Sequence, residues 1–274
     1  MSELHRIQVV PATEELFLYL ADAAPSDRQV YTCPQCRDTG WLVSEEGARP
    51  CACGQQALRL RKRRLAGLKA AMDDMCFANF ELNYYAADRY VQPGCTYRQA
   101  ADKALRAARV FVAACGRGEA ARGLYFEGAL GSGKTFLAAS IAGELLKRGI
   151  AARFIVVPEF LQQLRFSYQE REGSDYDEAA IMNQALDAPV LILDDLGAHN
   201  SSPWTISKIY TLLNYRLNSR LPCVITTNLK PAALAEELGQ RAASRMREMC
   251  DRFILSIGED IRSRKGSGWQ NDER

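Results

Sequence analysis

The stretch GLYFEGALGSGKTFLAASIAGELLKRG, residues 123–149, constrains the fold more than any other part of the chain. It has three parts in a fixed order. LYF is a short apolar run of the kind that forms a buried strand. Gly128-Ala129-Leu130-Gly131-Ser132-Gly133-Lys134-Thr135 follows the pattern G-x-x-x-x-G-K-[ST]. A helical stretch then runs to Lys147, Arg148 and Gly149, residue types that close a helix. The chemistry explains the residue types. Glycines let backbone amides approach phosphate oxygens without a side chain in between, and the helix N-terminus adds positive potential. Lys134 is placed to reach the β- and γ-phosphates, and Thr135 can offer a hydroxyl to magnesium. A strand before the loop and a helix after it separate this pattern from an ordinary glycine-rich turn.

Further anchors lie downstream. In APVLILDDLGAHN, Val190 to Leu193 form a continuous apolar run, as in a central parallel strand. The run ends in Asp194 and Asp195, at the carboxyl end of a strand, where open α/β sheets bind ligands. Asp194 is expected to hold magnesium, directly or through water, and Asp195 to orient or activate the attacking water. In LPCVITTNL another apolar strand ends in Thr226, Thr227 and Asn228, polar groups that can bond the γ-phosphate or the water. FILSI reads as the last strand. Arg241 and Arg245 lie four apart on one helix face, and Arg262 and Arg264 follow FILSI. Arginine suits transition-state phosphate charge, although each could instead form a surface ion pair. Alternating strands and helices from about Phe80 onward give an α/β fold with a parallel sheet flanked by helices.

Ahead of this domain, YTCPQCRDTGWLVSEEGARPCACG holds Cys33, Cys36, Cys51 and Cys53, four of the nine cysteines. Two close pairs on either side of a glycine-bearing hairpin can make a tetrahedral thiolate site for zinc. The alternatives are a redox Cys-Pro-x-Cys pair, for which the thioredoxin-like βαβ context is missing, or unrelated free thiols. Only His5 and His199 are present, so histidine is a poor choice of ligand. So small a segment has little core, and bound metal would supply much of its folding energy. Next, QQALRLRKRRLAGLKAAM places Leu58, Leu65, Leu68 and Met72 at helical spacing among Arg59, Arg61, Lys62, Arg63, Arg64 and Lys69. It reads as a basic helix that contacts phosphates or a partner, or that simply presents a solvated face. A net charge of +2 excludes a general polycation, and no segment resembles a signal peptide or a spanning helix. A cytoplasmic location with no membrane partner is the expectation. Four regions follow: residues 1–56 as a zinc-binding docking domain, 57–79 as a basic helical linker, 80–264 as the nucleotide-binding domain, and 265–274 as a polar tail.

FEGALGSGKTFLAASIAGELLKRG, LDDLGA, TTNL and LGQRAASRMRE, in this order, resemble the AAA+ ATPases. More narrowly they resemble the bacterial replicative-helicase loaders of the DnaC and DnaI type and their relative IstB, from Cys76 to Lys265. The resemblance implies an ATPase using ATP and magnesium, with Asn228 as sensor one and Arg262 as the sensor-two arginine. It implies Arg245 as an arginine finger that reaches a neighbouring subunit's nucleotide, with Arg241 as the second candidate. It further implies single-stranded DNA contacts by Arg165, Phe166 and Tyr168, any of whose rings could equally be core. Self-association through ATP and a hexameric replicative helicase as partner are implied too. The cysteine cluster is similar to the zinc-binding helicase-interaction domain of the DnaI branch. The chain departs from the pattern at Asp195, where most AAA+ enzymes carry glutamate, and at His199, where relatives often carry an acid. No pore-loop motif is evident, which counts against an unfoldase. An IstB-like helper of DNA transposition and a nucleotide-gated docking adaptor with little turnover are the alternatives.

Overall fold

The computed structural model describes residues 31–45, 47–169, 178–198, 202–258 and 261. These divide into two compact units, with the division between Lys62 and Arg63.

In the first unit, β1 (Trp41–Ser44) and β2 (Gly47–Pro50) form an antiparallel hairpin. Backbone close approach decides one glycine just after it. A Cβ on Gly54 would lie 2.9 Å from the Gly40 carbonyl oxygen, so the chain can close here only without a side chain. The amide of Cys51 donates to that same carbonyl over 2.8 Å.

Helix α1 (Ala52–Leu65) follows at once. The leucine spacing suggests helix through Met72, but α1 stops at Leu65. Gly67, at φ +90°, takes the left-handed conformation. The Gly67 amide then bonds the Arg64 carbonyl and the Leu68 amide bonds the Arg63 carbonyl, the double closure that ends many helices. Ala66 thereby offers its carbonyl to the Phe154 amide over 2.6 Å. Any side chain on Gly67 would strike Phe154 O, 2.1 Å from its Cβ position. Leu58 and Leu65 remain exposed, whereas Leu68 and Met72 are buried beyond the break.

The second unit is built on one parallel sheet. Its strands are β5 (Gly123–Glu127), β6 (Ala152–Val156), β7 (Val190–Asp194), β8 (Cys223–Thr227) and β9 (Cys250–Ile254), in the order β6-β7-β8-β5-β9. β5, β7 and β8 are buried at every position, as continuous apolar runs in a covered parallel sheet should be. The last strand starts earlier than FILSI suggests. Pairing with β5 sets its register, Gly123 against Cys250 through Glu127 against Ile254, after which the chain leaves the sheet.

Helices cover both faces. On one lie α2 (Tyr97–Gly116) and α3 (Lys134–Lys147), whose small and branched residues share a core with Leu124, Phe126, Ile192 and Val224. On the other lie α4 (Val157–Gln169), α5 (Glu178–Leu186), α6 (Pro203–Asn218) and α7 (Pro231–Met249). Thr96 with Gln99, and Ser202 with Thr205, make reciprocal caps that start α2 and α6. A small hairpin, β3 (Tyr90–Gln92) with β4 (Cys95–Thr96), precedes α2. Among the described residues, no helix is long and apolar enough to cross a membrane.

Candidate functional site

The loop between β5 and α3 is glycine-dependent at two points that its geometry makes plain. A Cβ on Gly128 would sit 1.9 Å from Leu255 O. Gly133, at φ +88°, caps α3, and a Cβ there would meet the Tyr85 hydroxyl at 2.6 Å. Tyr85 is buried and donates to Ser132 O over 2.8 Å, so it props the loop from below. Lys134 is 4% exposed. Its Nζ donates to the carbonyls of Gly128 (2.9 Å) and Ala129 (2.7 Å), and to Ser132 Oγ (3.4 Å). A buried ammonium must be solvated by something, and here the loop's own oxygens serve.

Asp194 and Asp195 stand at the end of β7. Asp194 is 2% exposed, and burial pushes its carboxyl up to about 6. Hydrogen bonds to Asp194 Oδ1 from Thr226 Oγ1 (2.7 Å) and Thr135 Oγ1 (3.1 Å) oppose that rise. Asp195 adopts φ +56°, rare for a residue with a side chain, and its amide donates to Thr226 Oγ1 over 2.9 Å. Strain of this sort persists where the surroundings hold it, commonly at functional sites. Thr226 and Thr227 do not line the pocket. The Thr226 hydroxyl is engaged by Asp194, and that of Thr227 donates to Leu196 O over 2.6 Å. Asn228 does line it, and its Oδ1 is buried without a hydrogen-bond partner among the described residues. A buried acceptor in that condition calls for a ligand or water.

The pocket has a volume of 590 Å³, within the usual range for a small-molecule site. Leu130 to Phe136 form its floor, and Asp195 and Asn228 close one end. The opposite wall comes from Ala71, Asp74, Met75, Asn79, Phe80 and Tyr84, residues in or between short 3-10 turns that periodicity does not mark. Most of this wall precedes the boundary at residue 80 expected above. Arg63 Nε and Arg64 Nη2 hold it by bonding the two carboxylate oxygens of Asp73 at 3.2 and 3.1 Å. Arg63 also donates to Met72 O over 2.6 Å. The donor set fits magnesium. Thr135 Oγ1 and Asp194 Oδ1 are 3.1 Å apart, and neighbouring ligands of an octahedron with arms of about 2.1 Å are about 3 Å apart.

The family model described as IstB-like ATP binding protein matches residues 94–256, which hold the loop, both aspartates and Asn228. The chain belongs to this family. Its fold is the AAA+ P-loop fold, shared at TM-score 0.51 and 18% identity with the AMPPCP-bound DnaA of Aquifex aeolicus. A DnaI crystal structure matches 70% of this chain and 93% of its own, with 28% identity and a TM-score of 0.56. A DnaC helicase-loader structure matches 69% and 99%, with 27% identity and a TM-score of 0.53. In sequence, the replicative helicase loader DnaI of Bacillus subtilis (strain 168) is 34% identical over 41% of this chain. The loader DnaC of Escherichia coli (strain K12) is 27% identical over 51% of it. The alignments span 35% and 56% of those two relatives' own lengths.

Elsewhere in this IstB-like domain, Arg165, Phe166, Arg241 and Arg245 are not among the residues that line the pocket. Arg245 pairs with Glu248 on its own helix at 3.3 Å, and neither it nor Arg241 lines the pocket of its own chain. Arg165 donates to Ser202 Oγ over 3.5 Å and lies over the Trp204 ring, 5.4 Å from its centre. Phe166 is 56% exposed and so is not core. Tyr168 belongs to α4, but its side chain lies outside the described residues, as do Arg262, Arg264 and His199.

The cysteine cluster forms as one group. All four sulfurs lie within 4.8 Å of one another. Cys33 and Cys51 are 3.8 Å apart and Cys36 and Cys53 are 3.1 Å apart, too far for a disulfide. A zinc tetrahedron with arms of about 2.3 Å has edges of about 3.8 Å, so the donor set fits zinc. The tight Cys-x-Cys is resolved by a change of element: Cys51 precedes α1 and Cys53 stands in its first turn. A hydrogen bond from Cys53 lowers the Cys36 thiol to about 7, and hydrogen bonds with Cys36 and then Cys51 push Cys53 up. Asp38 accepts the amides of Thr32 and Cys33, at 3.0 and 2.8 Å, and so shapes the first knuckle.

Proposed function

We propose that the protein is an ATP-dependent loader of a replicative DNA helicase. One pairing carries this reading: a fold similar to the DnaI and DnaC structures around a pocket suited to nucleotide, in the same chain as a four-thiol module suited to docking. ATP would occupy the 590 Å³ pocket with its phosphates along Gly128–Thr135. Lys134 would exchange the loop carbonyls for β- and γ-phosphate oxygens. Thr135 and Asp194 would hold magnesium, whose charge neutralises the phosphates. Asp195 would orient the attacking water and take its proton, and Asn228 would fix the water through its unpartnered Oδ1 or the γ-phosphate through its amide nitrogen. Aspartate is one methylene shorter than the usual glutamate, which favours slow turnover or a need for a partner. Arg245, remote from its own pocket, would act on a neighbouring subunit's nucleotide, with Arg241 as the alternative and Arg262 acting from the C-terminal segment. ATP would then join subunits. Arg165, Phe166 and Tyr168 would contact single-stranded DNA by charge and stacking. Zinc on Cys33, Cys36, Cys51 and Cys53 would fold the docking unit, with residues 1–56, 57–79, 80–264 and 265–274 as the functional regions.

The family description favours a second reading, an IstB-like helper of transposition. Gel filtration of the purified chain with the host's hexameric helicase, in ATP and in ADP, separates the two. A complex that depends on the nucleotide supports the loader. No complex with helicase, but one with a transposase on double-stranded DNA, supports the helper. Binding to helicase with no ATP turnover, even with DNA, leaves a docking adaptor.

A further inference from the structure

We propose that the β3–β4 hairpin and the start of α2 form a second contact for single-stranded DNA, apart from α4 and adjoining the nucleotide pocket, with which its cleft shares Tyr84. The sequence there is Tyr84-Tyr85-Ala86-Ala87-Asp88-Arg89-Tyr90, then the turn, then Tyr97-Arg98. Folding brings the two Arg–Tyr pairs side by side. Tyr90 pairs with Thr96 across the hairpin, and the Tyr97 amide donates to Arg89 O over 2.8 Å. Arg89 and Arg98 thus enter one cleft of 430 Å³, with Tyr84 and Asp88 in its lining.

Three features point to a nucleic-acid strand. First, both guanidinium groups are exposed, and among the described residues neither forms an ion pair. Arg98 is also aimed rather than loose: its Nε donates to Tyr85 O over 3.2 Å, while Arg89 lines the same cleft near Gly258. A guanidinium fixed along one edge keeps its other donors for a phosphate. Second, Tyr90 on the same hairpin is 61% exposed, and among the described residues its ring makes no stacking or cation–π contact. An open ring on a hairpin that also carries a cation gives bases a face on which to stack without sequence preference. Third, Asp88 adds an acceptor for a base amino or imino group. An acidic peptide would be served by the arginines, but not by the open ring or by Asp88.

The choice of DNA over RNA rests on the loader reading; the strand-binding chemistry does not. The test is fluorescence anisotropy with labelled oligo(dT) across a salt series. Tyr90→Ala should weaken binding about tenfold, while Tyr90→Phe keeps it. Arg89→Ala should lower the salt slope by about 0.7, as expected for one lost single-strand phosphate contact. Arg109→Ala, an exposed arginine elsewhere on α2, should do less. Nucleotide binding, followed with a fluorescent ATP analogue, should be unchanged in all four, which shows that they fold. Photocrosslinking with iodouracil oligonucleotide should label the peptide that carries Tyr90. Wild-type binding that survives intact in the hairpin variants, with label only near Phe166, overturns this inference alone. A wild type that binds no oligonucleotide overturns it together with the DNA part of the functional reading.

Discussion

Thr226 Oγ1 donates a 2.7 Å hydrogen bond to Asp194 Oδ1 across the neighbouring strands β8 and β7. The same oxygen accepts the Asp195 amide. One buried threonine therefore sets both carboxylates, the first by a direct bond and the second through the backbone turn that gives it φ +56°. Thr226→Val keeps the shape and removes both bonds. Stability should fall by about 1–3 kcal/mol at neutral pH, because the buried carboxylate loses a donor and the Asp195 amide loses its acceptor. Urea unfolding measures this, and ATP turnover should fall in the same variant.

Asp194 also gives the free protein a pH dependence. Its carboxyl is raised from an ordinary value near 3.8 to about 6, chiefly by burial. Between those values the folded chain holds a proton that the unfolded chain has lost. Its contribution to stability is therefore fully present below about 4 and is lost as pH rises through about 6. At pH 7 the cost is about 3 kcal/mol at most. Asp194→Asn should then melt higher than wild type at pH 7.5, with the gap closing toward pH 4.5. The same variant should lose magnesium-dependent nucleotide binding, and wild-type binding should weaken as pH falls through 6. A melting gap that does not change with pH contradicts this account of Asp194.

The pocket wall depends on Arg63 and Arg64 gripping Asp73. Asp73→Ala should free the turn that carries Ala71, Asp74 and Met75. Affinity for ATP should drop several-fold, while affinity for inorganic tripolyphosphate, which needs only the loop, stays as it was. Equal losses for both ligands would mean that the wall does not read the base.

How much of this was legible beforehand follows from what leaves a local pattern. The loop from Gly128 to Thr135 is readable because each residue type answers a local demand, and Val190–Asp194 because a covered parallel strand is apolar throughout. Thr226 and Asn228 look alike in the sequence. The register of β8 against β7 brings Thr226 beside Asp194, whereas Asn228 lies just past the end of β8 and lines the pocket. Phe80, Tyr84 and Tyr85 escape a reading by period because they lie in or just after short 3-10 turns, which have no amphipathic period. The cluster of aromatic residues in FANFELNYY was the available signal. Gly67 misled the helix reading, since one left-handed residue outweighed an unbroken leucine spacing. FILSI was shifted because pairing with Gly123, which leaves room for Cys250, outweighs apolarity at the far end.

The thiol cluster should hold about one zinc per chain. Cys33→Ser or Cys51→Ser should release it, measured by metal analysis, and should abolish helicase binding while ATP binding persists. Unchanged zinc in either variant would remove that cysteine from the site.

The role proposed for Arg245 at a neighbouring subunit's nucleotide gives a mixing test. Arg245→Ala should bind ATP normally yet lose assembly and turnover, and Lys134→Ala should lose ATP binding. Mixed, the two should recover part of the turnover, because one chain supplies the loop and the other the arginine. No recovery would confine Arg245 to its own subunit and move attention to Arg241.

The most direct measurement of the central claim is helicase loading onto closed circular single-stranded DNA. The purified hexameric helicase is incubated with the circle, ATP and this protein, and DNA-bound helicase is recovered by gel filtration in high salt. The account predicts stable rings on the circle only when protein and ATP are both present, and none with Lys134→Ala or Cys51→Ser. Loading that proceeds equally without the protein, or equally with the Lys134 variant, would contradict it.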